Sequence, residues 1–199
     1  MPYALYEASI VPAKNSLESL TTILKKAEAS EKAAEFPQTR LHPDMLPLAF
    51  QIHMITNVSF HFLKRLLHHT DQLTLFPPQL CQQAAARLTG AEPAAYENNL
   101  ASFADFHARI AEVSALVAKA DKKSVDAMDG KDVTIGFGPG KSVTLSAEGY
   151  VNGWVVPNLF FHVTTAYNIF RKEGVDLGKM DFLKPYVAGY VDLAAAGLA

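Results

Sequence analysis

Cysteine is almost absent from these 199 residues: Cys81 stands alone, so neither an internal disulfide nor a CxxC metal or redox pair can form. A reducing compartment is the expectation. Also lacking is any apolar run near the ~20 residues that a helix needs to cross a bilayer. The opening MPYALYEASIVPAKNS has neither a basic n-region nor a continuous apolar h-region, so no secretory signal is expected. These absences predict a soluble, cytoplasmic protein with no membrane partner. Charge is sparse and balanced, with 18 Lys and Arg against 20 Asp and Glu, a net of −2. The basic residues are scattered apart from Lys25-Lys26 and Lys122-Lys123, which read as solvated helix ends. Nothing in that distribution attracts a polyphosphate backbone, so no nucleic-acid partner is expected. No fixed repeat, low-complexity run or linker rich in Pro, Gly or Ser divides the chain, which predicts a single domain over residues 1–199.

What is present is enough apolar material for a sizeable core: 49% of the residues are hydrophobic and 19% charged, the balance of a folded globule. One stretch, VTIGFGPGKSVTL at 133–145, raises the question of a phosphate loop. The pattern G-x-x-x-x-G-K-[ST] fails by one residue, because Ile135 stands where the first glycine belongs. Val143, Thr144 and Leu145 are strand formers, whereas a phosphate loop must lead into a helix. The G-x-G-x-x-G signature fails too, since Gly136, Gly138 and Gly140 are evenly spaced. The stretch therefore predicts a β-hairpin, with strands over Asp132 to Phe137 and Ser142 to Ser146 and Gly138-Pro139-Gly140 in the turn.

Elsewhere the helical period dominates. Tyr6, Ile10, Ala13, Leu17, Leu20 and Leu24 make one stripe through a first helix, bent at Pro12 and ending near Ala29. A second helix is expected to open at Pro43 and Asp44 and to run through Leu48, Ile52, Ile55, Phe62 and Leu66. A short helix, QLCQQAAARL, follows Pro77-Pro78. A third long helix carries Tyr96, Leu100, Phe103, His107, Ile110 and Val117. The fourth spans Glu148 to Lys172, with Gly174 as its stop. Its middle, LFFHVTTAYNIF, is apolar almost all round and predicts the most buried helix. The apolar tail beyond Gly174 is expected to pack across the bundle or against another subunit.

The segments YEASIVP (6–12), RLHPDMLPL (40–48) and VPNLFFHVTTAYNIFRKEGVDLGKMDFL (156–183) resemble the marker segments of an uncharacterised helical family within the DinB/YfiT-like superfamily. The resemblance covers most of the chain. It departs in the region from His61 to Leu80, which is longer than the family's link between second and third helices. The fold it implies is all-α: a DinB-like up-down four-helix bundle, here with a small β-hairpin between helices 3 and 4. It also implies a divalent metal held by three histidines, one on the second helix and two spaced H-x-x-x-H on the last. In this sequence only His53 and His162 answer to those positions, while Asn158 and Ala166 flank His162 at four residues on either side. The metal set is thus incomplete, and the cofactor is left undetermined.

Each polar residue carries a functional and a structural reading. His162, in an apolar helix, is either a core imidazole bonded to a carbonyl or hydroxyl, or the catalytic acid/base of a pocket with Asn158 as hydrogen-bond partner. His53, Trp154 and Thr165 are the candidate ligand-binding residues of that pocket, although His53, Asn57 and His61 also read as a solvated stripe. Trp154, Phe160, Phe161 and Tyr167 read as core, and Thr164 and Thr165 as hydroxyls bonded back within their helix. His68 and His69 read as helix caps, His107 as a boundary residue, and Asp44 as serving a helix N-terminus.

The favoured expectation is an uncharacterised DinB-like bundle with a buried small-molecule pocket and an incomplete or absent metal site. Two alternatives stand beside it: a non-catalytic homodimeric scaffold or metabolite-binding protein, and a metal-dependent transferase or isomerase acting on a small molecule. A homodimer is expected, and whether the protein is an enzyme is left open.

Overall fold

The computed structural model describes residues 4–68, 100–136 and 141–197. Helix α1 (Leu5–Glu28) buries Ile10, Ala13, Leu17, Leu20 and Leu24, the residues of its sequence stripe, and continues through Pro12. Tyr6 lies at the margin of that stripe, half-buried. A 3₁₀ helix (Ala33–Gln38) then drops Phe36 into the core. Phe36 meets Phe170 edge-on at 5.2 Å and Phe103 at 6.2 Å, an arrangement that aligns ring edges with ring faces.

Helix α2 (Leu48–His68) begins later than the Pro43-Asp44 start read from the sequence. Residues 41–45 form bends and a turn, and the Asp44 carboxylate engages His42 Nδ1 rather than a helix end. The reason is Pro47, whose ring disfavours helical geometry at Leu46 and so prevents the helix from starting earlier. The Pro47 carbonyl accepts the first helical N–H groups, from Phe50 at 3.0 Å and Gln51 at 3.3 Å.

Helix α3 (Phe103–Ala118) also starts late, after Leu100. Ser102 Oγ accepts from the Asp105 N–H at 3.2 Å while the Asp105 carboxylate accepts from the Ser102 N–H at 2.9 Å. This reciprocal box sets the boundary. The Ser102 hydroxyl, first among the donors on Asp105, holds its carboxyl below the usual carboxylate range. A short helix α4 (Lys122–Asp126) follows, and its Asp126 accepts the Tyr6 backbone N–H at 2.8 Å, securing the start of α1.

Strands β1 (Asp132–Gly136) and β2 (Ser142–Ser146) pair antiparallel with Asp132 opposite Ser146 and Gly136 opposite Ser142. The hairpin is as expected, with Val133 and Ile135 pointing into the core. The expected turn Gly138-Pro139-Gly140 lies outside the described residues, as do the QLCQQAAARL segment, Tyr96 and His69.

The last long helix is one helical run in three parts: α5 (Ala147–Tyr150), a π-helical turn (Val151–Val155) and α6 (Val156–Lys172). Pro157 explains the wide turn. It has no N–H for the Gly153 carbonyl and its ring would strike that oxygen, so the ladder widens and the Val156 N–H bonds to the Val151 carbonyl. Gly174, at φ 90, ends the helix: the Val175 N–H reaches the Phe170 carbonyl at 3.0 Å and the Gly174 N–H the Arg171 carbonyl at 3.1 Å. Helix α7 (Lys179–Val187) then lies on α1.

Helices α1 and α2 each pack against both α3 and α6, and touch one another less closely, across the diagonal. Their apolar faces meet in a core that also takes in Phe106, Tyr150 and the hairpin residues. The apolar middle of α6 is not buried all round: Phe161 is 58% exposed and Phe160 38%, with Thr164 and Asn168 also outside. A helix at the corner of a bundle has neighbours on only part of its circumference, and α6 keeps Leu159, Val163, Ala166 and Phe170 for the core. The tail does pack across the bundle, as α7 on α1. Among the described residues no helix is long and apolar enough to cross a membrane.

Candidate functional site

The seam between α2 and α6 holds a buried polar pair. Gln51 shares the face of Leu48 and Ile55, at i+3 and i−4, so the helical period that buries those two carries the amide inward as well. Its Nε2 donates to the Leu46 carbonyl at 3.0 Å and lies 3.5 Å from that of Pro47. With the NH₂ end so committed, Oε1 is left to accept, and the His162 Nδ1–H donates to it at 2.8 Å. His162 is 7% exposed. Phe161 and Phe50 flank its ring edge-on, at 5.1 and 6.0 Å. Burial pushes the imidazole down to about 4, so it is neutral at physiological pH, with Nδ1 as donor and Nε2 as acceptor.

The sequence-derived candidates separate around this pair. Asn158 is not the partner of His162; its Nδ2 donates to the Trp154 carbonyl at 2.7 Å, one helical turn back. Thr165 is buried, and its hydroxyl donates to the Phe161 carbonyl at 2.7 Å, the back-bonding that its residue type favours. Trp154 is half-buried against the core, in the π turn.

His53 serves a different seam. It stands two residues beyond Gln51, about 200° around a helix of 3.6 residues per turn. Its Nε2 accepts from Asn57 Nδ2 at 2.7 Å, and Arg109 of α3 donates to Asn57 Oδ1 at 3.2 Å. Arg109 is held on its other side by Glu112 at 3.0 Å. Asn57, read as part of a solvated stripe, is instead 7% exposed, and the chain Glu112, Arg109, Asn57, His53 links α3 to α2. The His61 side chain lies outside the described residues. His107 pairs with Glu28 of α1 at 3.1 Å, a boundary position as expected.

The two candidate imidazoles thus have separate partners on separate seams, and among the described residues no three His, Cys, Asp or Glu stand together as a metal site. Only two histidines answer to the three-histidine set, since 158 and 166 are Asn and Ala, and each ring already has a protein partner on one nitrogen, Gln51 at Nδ1 of His162 and Asn57 at Nε2 of His53. Gln51 and Arg109 are the site residues that sequence reasoning missed. For Gln51 a signal existed, a lone amide on an apolar helix face. For Arg109 none did, because its partner lies 52 residues away.

This helical arrangement is that of a DinB-like protein. The chain is similar to a crystal structure of a DinB family member protein from Shewanella denitrificans, with a TM-score of 0.65 and 25% identity over 90% of this chain and 91% of that one. By sequence, the family described as a domain of unknown function (DUF1993) matches residues 5–77 and 75–183, and the chain belongs to it. The two matched segments meet inside the His61 to Leu80 region. No curated protein matches the chain.

Proposed function

We propose that this protein binds a small, largely apolar molecule at the seam between α2 and α6, without a resident metal, and that His162 addresses the ligand through Nε2. The observation that supports this reading is the Gln51–His162 hydrogen bond at 2.8 Å. It commits Nδ1 as a donor, and burial keeps the ring uncharged, so Nε2 offers a lone pair in low-dielectric surroundings. Such a nitrogen can accept a hydrogen bond from a ligand hydroxyl or amide, or take a proton as a general base. The aromatic neighbours Phe50 and Phe161 supply the apolar wall that such sites use.

A thermal-shift screen of the full chain against hydroxyl- and amide-bearing apolar metabolites tests it. A ligand at a hundredfold excess over its Kd stabilises by about 2.7 kcal/mol. The same compound should give no shift with His162→Phe. A broad panel without a hit, or a hit that shifts the variant equally, would refute the reading. Elemental analysis of tag-free protein tests the metal-dependent alternative: near-stoichiometric zinc or another divalent ion would replace the metal-free reading, since complete sites hold zinc tightly.

A homodimer is a second proposal, favoured by one observation. Phe161 is 58% exposed and Phe160 38%, side by side on α6, where a lone globule would rarely place two phenyl rings.

A further inference from the structure

A groove apart from the His162 seam runs between α6 and α7. Its volume is about 310 Å³, at the lower end of the roughly 300–1,000 Å³ of small-molecule sites. Each wall is one face of a helix at i, i+3, i+4 spacing: Thr164, Tyr167 and Asn168 from α6, and Lys179, Phe182 and Leu183 from α7. The two helices run antiparallel and are tied at both ends. Phe160 meets Tyr186 edge-on at 5.6 Å at one end, and Tyr167 Oη donates to the Leu177 carbonyl at 3.4 Å at the other. On its other side α7 leans on α1, where Tyr186 bonds Ser16 at 2.8 Å and Asp181 pairs with Lys26 at 2.8 Å. The space beside α6 is therefore held open from behind.

The lining divides by chemistry. Tyr167, Phe182 and Leu183 give an apolar floor, with the Phe182 ring stacked on Tyr186 at 5.4 Å. Thr164, Asn168 and Lys179 stand exposed on the rim. Among the described residues these three side chains form no hydrogen bond or ion pair with the protein, whereas the neighbouring Asp181 is already neutralised by Lys26. A cation and two neutral donors above an aromatic floor complement an anionic head on an apolar body.

We propose that the α6–α7 groove binds a small amphipathic carboxylate, an aryl- or alkyl-alkanoate, with its carboxylate at Lys179 and Asn168 and its apolar body along Tyr167, Phe182 and Leu183. The site is separate from His162 and stands or falls without it.

Titration of the full chain with 4-phenylbutyrate, followed by backbone amide NMR and calorimetry, tests the assignment, with 4-phenylbutanamide as the uncharged control. The acid should perturb amides of α6 and α7 and bind more tightly than the amide. Lys179→Met should weaken the acid by about fivefold, the upper end for an exposed ion pair, and leave the amide unchanged. Thr164→Trp, at an exposed position, should fill the groove and abolish binding of both, with its circular dichroism unchanged. No binding of the acid up to about 10 mM, equal to roughly −2.7 kcal/mol, would overturn the proposal. So would acid and amide binding alike, or binding that neither variant alters. Should Thr164→Trp fold poorly, Lys179→Met decides alone.

Discussion

His162 Nδ1 and Gln51 Oε1 lie 2.8 Å apart although 111 residues separate them in the chain. The bond joins α2 to α6 inside the apolar core, where an unmade hydrogen bond costs far more than it does at the surface.

Removing the acceptor should therefore be costly. Gln51→Leu leaves the buried His162 N–H unpaired and is expected to lower stability by about 1–3 kcal/mol. The double variant Gln51→Leu/His162→Leu should lose less than the sum of the single changes, because the second substitution removes the orphaned donor. Urea denaturation of the four proteins measures the coupling, and strict additivity would show that the pair does not act as a unit.

Acid should destabilise the fold through the same ring. The folded-state value of about 4 lies below the ordinary 6.5 of the unfolded chain, so between those limits the unfolded state binds the proton and the folded state does not. Stability is thus fully present above pH 6.5 and falls as pH drops toward 4, by an amount on the order of 3 kcal/mol. His162→Gln should flatten the stability profile over this window relative to wild type. A parallel profile for the two proteins would contradict the buried, neutral imidazole.

Phe36 joins the connection before α2 to rings from α3 and α6. It is fully buried, so Phe36→Ala leaves a cavity that three elements would have to shift to fill. Chemical denaturation should show a loss of about 3–5 kcal/mol. A loss under 1 kcal/mol would mean that the core collapses around the site.

Ser102→Ala should cost about 1 kcal/mol, the usual value for a lost N-cap. Ser102→Thr should restore most of the loss, since its hydroxyl can accept the same N–H and still donate to the Asp105 carboxylate. Thermal unfolding of the three proteins reads this out, and equal stabilities would mean that packing alone sets the start of α3.

Phe161→Asp removes the edge-on contact with the His162 ring and should lower monomer stability by about 1 kcal/mol. On the homodimer proposal it should also convert a dimer to a monomer in light scattering at micromolar concentration. A wild-type protein that is already monomeric there removes the proposal.

Much of the architecture is legible in local spacing. The stripe from Ile10 to Leu24 is the buried face of α1, since a period of 3.6 admits one side inward. Val143 to Leu145 excluded a phosphate loop, because β-branched residues after Lys141 extend a strand. Gly174 marked the end of α6 through its positive φ. Helix starts were less legible. The start of α2 depended on Pro47 rather than Asp44, and that of α3 on the Ser102–Asp105 box, both local rules that competed with the apolar period and won.

The candidate site was legible only in its residue types. The apolar residues around His162 pointed to a core imidazole, and the lack of histidine at 158 and 166 was plain from the sequence. That Gln51 rather than Asn158 would meet His162 depends on how α2 and α6 are rotated and shifted against each other. That Asn57 would be buried depends on Arg109 crossing from α3.

From residue order alone came the helical class, the hairpin, the apolar stripes and the identity of the imidazoles, because dihedral preference and hydrophobic period act over a few residues. Tertiary structure alone decided which polar groups met, that Phe160 and Phe161 stayed outside, and that a groove opened beside α7. Those outcomes are set by the relative placement of whole helices, and pairwise contacts between distant segments exist only once the core has packed.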